Sequence, residues 1–179
     1  IVQYGVWLSN IVRGDWGTSF VTEQPVTAVI AQRLPNTMIL MFSSFLLTLL
    51  LALPLGVFAS LHRYTFFDNL TTFLTFLAYA MPTFWLGLVC IMIFSVWTKL
   101  HGLPYFPAGS MYEPTQPQTL VALLWHLALP MTVLAVTAVA RYTRYLRASM
   151  IEVLGQDYVR TARAKGIPGL RVLRRHVFK

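Results

Sequence analysis

Three long stretches free of Asp, Glu, Lys and Arg constrain this chain more than any other feature. They cover residues 34–62, 69–98 and 120–140. At ~1.5 Å of rise per residue, even the shortest crosses a hydrocarbon core of roughly 30 Å as a helix. None carries the polar stripe that a core helix of a water-soluble domain would show. Only 11% of the residues are charged and 56% are hydrophobic, whereas a soluble domain has about 25% charged residues. That balance excludes an ordinary soluble enzyme and a disordered chain. Cys90 is the single cysteine, so no disulfide scaffold forms within the chain. The expected fold class is all-α, a polytopic transmembrane helix bundle.

The boundaries follow from the same pattern. Residues 1–33 form a segment on one side, 34–61 a first span, 62–68 a connection and 69–97 a second span. Residues 98–119 form a Pro- and Gly-rich loop, 120–142 a third span and 143–179 a tail. Before the first span, Val26, Val29, Ile30 and Leu34 recur at helical spacing behind Pro25. They predict a short amphipathic helix at the interface, with Pro35 turning the chain into the bilayer.

Charge orients the chain. Up to residue 140 the bases Arg13, Arg33, Arg63 and Lys99 are matched by Asp15, Glu23, Asp68 and Glu113. The last 39 residues hold ten Lys and Arg against Glu152 and Asp157, and so carry the whole net charge of +8. Arg63 and the tail share one side of the bilayer, while Arg13, Arg33 and Lys99 share the other. The basic side is cytoplasmic by the positive-inside rule. A basic tail directly after a hydrophobic span reads as a solvated cytoplasmic segment in a cell (inner or plasma) membrane protein, not as a nucleic-acid module. With Ile1 at its start and a helical pattern running to Lys179, the chain is expected to be an internal piece of a longer one.

Each span holds one interior proline: Pro54, Pro82 and Pro130. Such prolines bend helices that line a pathway, or are simply tolerated where neighbours satisfy the freed groups. Ala52, Gly56 and Ser60 fall at i, i+4 and i+8. They form a small-residue strip suited to close helix approach, or a chance run in an Ala-rich helix. Catalytic patterns are scarce. There is no phosphate-binding G-x-x-x-x-G-K-[ST], no H-E-x-x-H and no G-x-S-x-G, and the four histidines lack metal-ligand spacing. We therefore expect no enzyme, no metal and no cofactor in this chain. His126 is the one histidine inside a span, poised for function or hydrogen-bonded near the span's end.

The tail is the most informative region. The third helix can continue to Gly155. Asp157 then suits the N-cap of a helix over residues 158–165, Gly166 the left-handed C-terminal position, and Pro168 the stop. Tyr158 and Ala162 share a face at i, i+4. Two helical turns are unstable alone in water, so this helix docks on a cytoplasmic partner or rests on anionic lipid.

These residues carry a resemblance. DYVRTARAKG (157–166) followed by VLRRHVFK resembles the cytoplasmic loop of permease subunits of binding-protein-dependent ABC importers of the dipeptide/oligopeptide/nickel family. RGDWGTSF, QRLPNT, AYAMPTFWLGL and HLALPMTVLAVTAVARYTRYLR are similar to that family in the same order. The resemblance implies a six-helix permease of which this chain holds the second to fourth spans, with a cytoplasmic coupling helix seated in a groove of the ATPase subunit. Aligned on Gly166, the family's E-A-A positions fall on Arg160, Thr161 and Ala162, of which only Ala162 matches. It implies coupling roles for Asp157, Tyr158, Arg160, Ala162 and Gly166, and pathway hinges at the three prolines. It further implies two ATPase subunits that bind the ATP, a second permease (as hetero- or homodimer), an extracytoplasmic substrate-binding protein, and peptides or nickel as cargo. A membrane-embedded hydrolase or a membrane scaffold is the rival expectation.

Overall fold

The computed structural model describes residues 2–112 and 117–173, with the backbone alone at Leu170. Pro114 of the expected loop and residues 174–179 of the VLRRHVFK motif lie outside the described residues. The chain divides into two compact units, Ile1–Phe42 and Ser43–Lys179.

The first unit opens with α1 (Val2–Val12), which buries no side chain. The Asp15 carboxylate accepts from the Gly17 N–H at 3.0 Å, and an isolated bridge pairs Thr18 with Pro25. The Pro25 carbonyl receives the Ala28 and Val29 N–H groups, which starts α2 (Val26–Leu61). The turn expected at Pro35 is absent, because α2 continues through it as one helix of 36 residues. In hydrocarbon a proline deletes one backbone bond, whereas a turn would strand several polar groups with no water to satisfy them.

In the second unit α2 runs on past Pro54 to Leu61. Thr65 then caps α3 (Phe66–Ala80), its hydroxyl accepting from the Asp68 N–H. The second span is not one helix. Met81 (φ −76, ψ 126) and Pro82 (φ −60, ψ 133) are both extended, and α4 (Thr83–Ile91) starts afresh. The proline ring clashes with the preceding residue's backbone and drives Met81 out of the helical region. Pro82 is therefore an N-cap between two helices and not an interior kink. α4 passes without a break into a π-helical stretch, Met92–Trp97, and a last turn, α5 (Thr98–Leu100). The wider turn changes who uses the Phe94 carbonyl. It accepts from the Thr98 hydroxyl at 2.8 Å and from the Phe106 N–H at 3.0 Å, so the following loop is tied to the helix.

α6 (Leu120–Leu154) begins on a Thr119 cap and continues 35 residues through Pro130. It is the centre of the unit, with α3 and α4 packed along it. Val26–Leu61, Thr83–Leu100 and Leu120–Leu154 are each long and apolar enough to cross a membrane.

The packing is inverted relative to a soluble domain. Ser44, Thr48, Ala52, Gly56 and Ser60, a continuous i, i+4 series on α2, are buried. Phe42, Phe45, Leu50 and Phe73 face outward, each about half exposed or more. A bilayer solvates large apolar side chains, so small residues occupy helix contacts, where they let backbones approach. Gly56 shows this directly: a Cβ built there would lie 2.9–3.1 Å from three side-chain atoms of Leu146 on α6. One turn on, Ser60 Oγ lies 3.4 Å from Met150 Sδ. Gly56→Val should therefore destabilise the folded protein by about 1–3 kcal/mol through overpacking. Leu146→Ala in the same chain should recover most of the loss. Thermal unfolding in nanodiscs checks both, and additive losses in the double variant would contradict the contact.

Candidate functional site

The tail beyond α6 folds back against the end of that helix. Gly155 ends α6 with φ −81 and ψ −12, an ordinary right-handed conformation. α7 (Asp157–Ala164) follows. Its N-cap is Gln156 and not Asp157. Gln156 is extended, and its carbonyl already receives the Val159 and Arg160 N–H groups. Asp157 sits instead in the first turn, where the helix dipole favours a carboxylate, 3.7 Å from Arg160.

The exit from α7 is a Schellman motif. The Gly166 N–H donates to the Arg163 carbonyl at 2.9 Å and the Ile167 N–H to the Ala162 carbonyl at 3.2 Å, with Gly166 at φ +75. Left-handed backbone of this kind favours glycine. Nothing lies within 4 Å of a Cβ added there, so a substitution acts through conformation and not through a local clash. The chain then turns into α8 (Gly169–Val172). Val159, Ala162 and Val172 form a buried cluster, supported by Val153, Leu154 and Ile167.

That cluster corrects the expected docking face. Ala162 is only 5% exposed and packs on its own chain beside Val159, so it is no partner-facing residue. Its neighbour on the buried face is Val159 at i−3; Tyr158 at i−4 is half exposed. The outward side of α7 carries Asp157, Tyr158, Arg160 and Thr161. A two-turn helix that is unstable alone is thus held by α8 and the end of α6.

A second feature was not singled out from sequence. Asp68, at the start of α3, is 2% exposed in its side chain and receives two hydrogen bonds from Arg147 of α6. Nε donates to Oδ1 at 2.6 Å and Nη2 to Oδ2 at 2.7 Å. The Tyr64 N–H adds a third at 3.0 Å. The Arg147 guanidinium holds the Asp68 carboxyl below the usual carboxylate range. Burial pushes it the other way, and the Tyr64 N–H adds to the lowering. The signal available in sequence was Thr65-x-x-Asp68, a capping-box pattern, but its partner is 79 residues away.

The remaining expected site residues are dispersed. Pro54 and Pro82 are exposed and Pro130 is half-buried. None of them lines the apolar recess of about 210 Å³ that Leu51, Leu55, Thr75, Val136 and Val139 bound between α2, α3 and α6. Ala52, Gly56 and Ser60 lie together on the buried face of α2. His126 is buried, and its Nδ1 donates to the Ala122 carbonyl at 2.8 Å. It borders a recess of about 470 Å³ under the loop. There the Trp125 indole donates to the Tyr105 carbonyl at 3.1 Å and lies 4.4 Å from the Phe106 ring. Among the described residues no group of three His, Cys, Asp or Glu is placed to hold a metal.

Removing one partner from the Asp68–Arg147 pair leaves a charge without compensation. Asp68→Asn should cost about 3 kcal/mol, with Asp68→Asn/Arg147→Met recovering most of it. Because the folded-state pKa of Asp68 is lowered, the pair's contribution is fully present above the unfolded carboxylate value of about 4. It is lost as pH falls through the lowered value. Acid unfolding profiles of wild type and Asp68→Asn should diverge above pH 4 and converge below it. Parallel profiles would contradict the pair's role.

Residues 52–179 match the family described as binding-protein-dependent transport system inner membrane component. The oligopeptide transport system permease protein AppB of Bacillus subtilis (strain 168) is 44% identical over 176 residues, covering 98% of this chain and 54% of that protein. A putative peptide transport system permease protein of Brucella abortus (strain 2308) is 37% identical over 179 residues, covering 100% of this chain and 55% of the relative. The probable D,D-dipeptide transport system permease protein DdpB of Escherichia coli (strain K12) is 33% identical over 186 residues, covering 94% and 54%. The chain spans about half the length of these relatives.

Proposed function

Because this chain belongs to the family of binding-protein-dependent transport system inner membrane components, we propose that it is the part of a peptide-importer permease that joins the translocation helices to ATPase subunits. The observation that carries this reading is the construction of α7. Its apolar side is consumed by its own chain through Val159 and Ala162, while Asp157, Tyr158, Arg160 and Thr161 point outward from a helix fixed to the end of α6. A force on that outward side passes through the packing of Val153 and Leu154 on the Val159–Ala162–Val172 cluster into a rod of 35 residues. α6 is held to α3 by Arg147–Asp68 and to α2 by Leu146 against Gly56, so the three helices respond together. ATP is bound by the partner subunits. A second permease completes the pathway and an extracytoplasmic binding protein delivers cargo. Peptides are the cargo by analogy with the relatives' names.

In this reading the tail is cytoplasmic, which its ten basic residues support. Single cysteines replacing Ser110 and Ala164 in a Cys90→Ala background should label from opposite sides of the intact membrane. Labelling of both from outside would overturn the orientation.

The coupling role is tested by substitution on α7. Arg160→Glu reverses an exposed charge without touching the buried cluster, and should reduce ATPase co-purification and peptide uptake together. Gly166→Val should act alike, since a Cβ at φ +75 costs roughly 1 kcal/mol and loosens the Schellman turn. Ala162→Asp buries a charge inside the tail and should unfold α7 itself, seen as new protease cleavage near residue 160. Arg171→Ala, at an exposed position, should change little. Normal co-purification and uptake with both Arg160→Glu and Gly166→Val would remove the coupling assignment.

A further inference from the structure

A recess of about 700 Å³ lies between α3 and α6, bordered by Phe76 and Tyr79 on one side and Arg141, Arg144, Tyr145 and Arg147 on the other. We infer that it binds the phosphate headgroup of an anionic phospholipid. Arg141, Arg144 and Tyr145 fall at i, i+3 and i+4 and so share one face of α6. They stand in the first turns beyond the third uncharged stretch, at the depth where a span leaves hydrocarbon for headgroups. Arg147 is neutralised by Asp68. Among the described residues, neither Arg141 nor Arg144 has a carboxylate within ion-pair range. Arg144 instead lies over aromatic rings, its guanidinium carbon 4.5 Å from the Phe76 centroid and 5.4 Å from that of Tyr79. These cation–π contacts hold the guanidinium at the recess without neutralising its charge.

The complement to such a site is a compact anion with several acceptor oxygens and an apolar continuation. A phosphodiester accepts the fork of a guanidinium, and Phe76 leads from the recess toward the apolar flank, where Phe73 and Leu77 are exposed. The volume falls within the range of pockets that take small ligands. Basic pockets between helices on the cytoplasmic side are favourable places for anionic headgroups. The inference takes from the proposed function only the orientation, which assigns the site to the inner leaflet.

The test uses the full-length permease with its partner subunits, in nanodiscs of phosphatidylcholine with graded phosphatidylglycerol. Retained lipid is counted by native mass spectrometry after release. Wild type should retain phosphatidylglycerol in preference to phosphatidylcholine. Arg141→Gln and Arg144→Gln should each lower that preference roughly fivefold, and Arg144→Lys should restore part of it. Arg13→Gln/Arg33→Gln, on the opposite side, should leave it unchanged, and millimolar inorganic phosphate should not displace the lipid. Displacement by phosphate would assign the site to a free anion and overturn the lipid. Unchanged lipid retention overturns it as well. If the arginine variants then also lose partner subunits, the recess is a protein interface. Peptide uptake is measured in parallel on wild type, so failure of the transport reading appears there and leaves the lipid count standing.

Discussion

The contact between Asp68 and Arg147 does more to define this unit than any apolar cluster. The carboxylate is almost fully enclosed, while the guanidinium keeps about a quarter of its surface. Enclosing a carboxylate is costly unless every acceptor site is used. Here two guanidinium N–H groups and the Tyr64 backbone N–H fill that role. The pair is therefore specific in register. It fixes the start of α3 to one turn of α6, and the His62–Thr65 corner is shaped around it, with Tyr64 at φ 63 and the Thr65 hydroxyl donating to the His62 carbonyl at 2.7 Å. Phe58 of α2, in edge contact with Phe67 at 4.5 Å, closes the same corner. Three helices thus meet at one end through a charge pair, a tight turn and an aromatic contact.

Along the rest of their length the helices meet through small residues. With large side chains already solvated by lipid, burying them gains little, and what distinguishes one helix arrangement from another is the fit of backbone against side chain. The Ser44-to-Ser60 series on α2 supplies a groove, and Leu146 fills it at Gly56. Two of the hydroxyls in that groove bond within α2 itself. Thr48 donates to the Ser44 carbonyl at 2.8 Å and Ser60 to the Val57 carbonyl at 2.7 Å. Thr48 and Ser60 therefore bring no unpaired hydroxyl to the helix contact.

What the sequence made legible was what is local. Uncharged length announced the membrane helices, and the Gly155, Gly166 and Pro168 punctuation announced the tail, because a helix stop is decided by the few residues around it. The small-residue series could be counted, but its counterpart Leu146 could not, since the choice of partner depends on how α2 and α6 cross. Pro35 and Pro82 were misjudged for the same reason. Pro35, Pro54 and Pro130 are carried through and Pro82 is a break, although all four are equivalent as local helix breakers. Ala162 was assigned to an open face by pairing it with Tyr158. The pattern Val159, Ala162, Ile167 was there to be read, with Ile167 as the apolar residue that a Schellman turn folds back onto the helix. Asp68 shows the limit most clearly, because its cap was visible and its partner was not.

The length of α6 makes these separate contacts act together. At ~1.5 Å per residue its 35 residues reach about 52 Å, well beyond a hydrocarbon core of roughly 30 Å. If the uncharged portion before Arg141 lies in the bilayer, Arg141 to Leu154 must project from it as a helix continuous with the span. On that projecting part stand Leu146 against Gly56, Arg147 on Asp68, Met150 against Ser60, and Val153 and Leu154 against the α7–α8 cluster. These α6 contacts to the tail, the Asp68 corner and α2 therefore all lie within three turns of one helix. A tilt of that segment cannot move α7 without also moving the start of α3 and the end of α2. The geometry suits a part that transmits displacement, because the stiff element and its attachments are adjacent in sequence, while the elements they hold come from far along the chain.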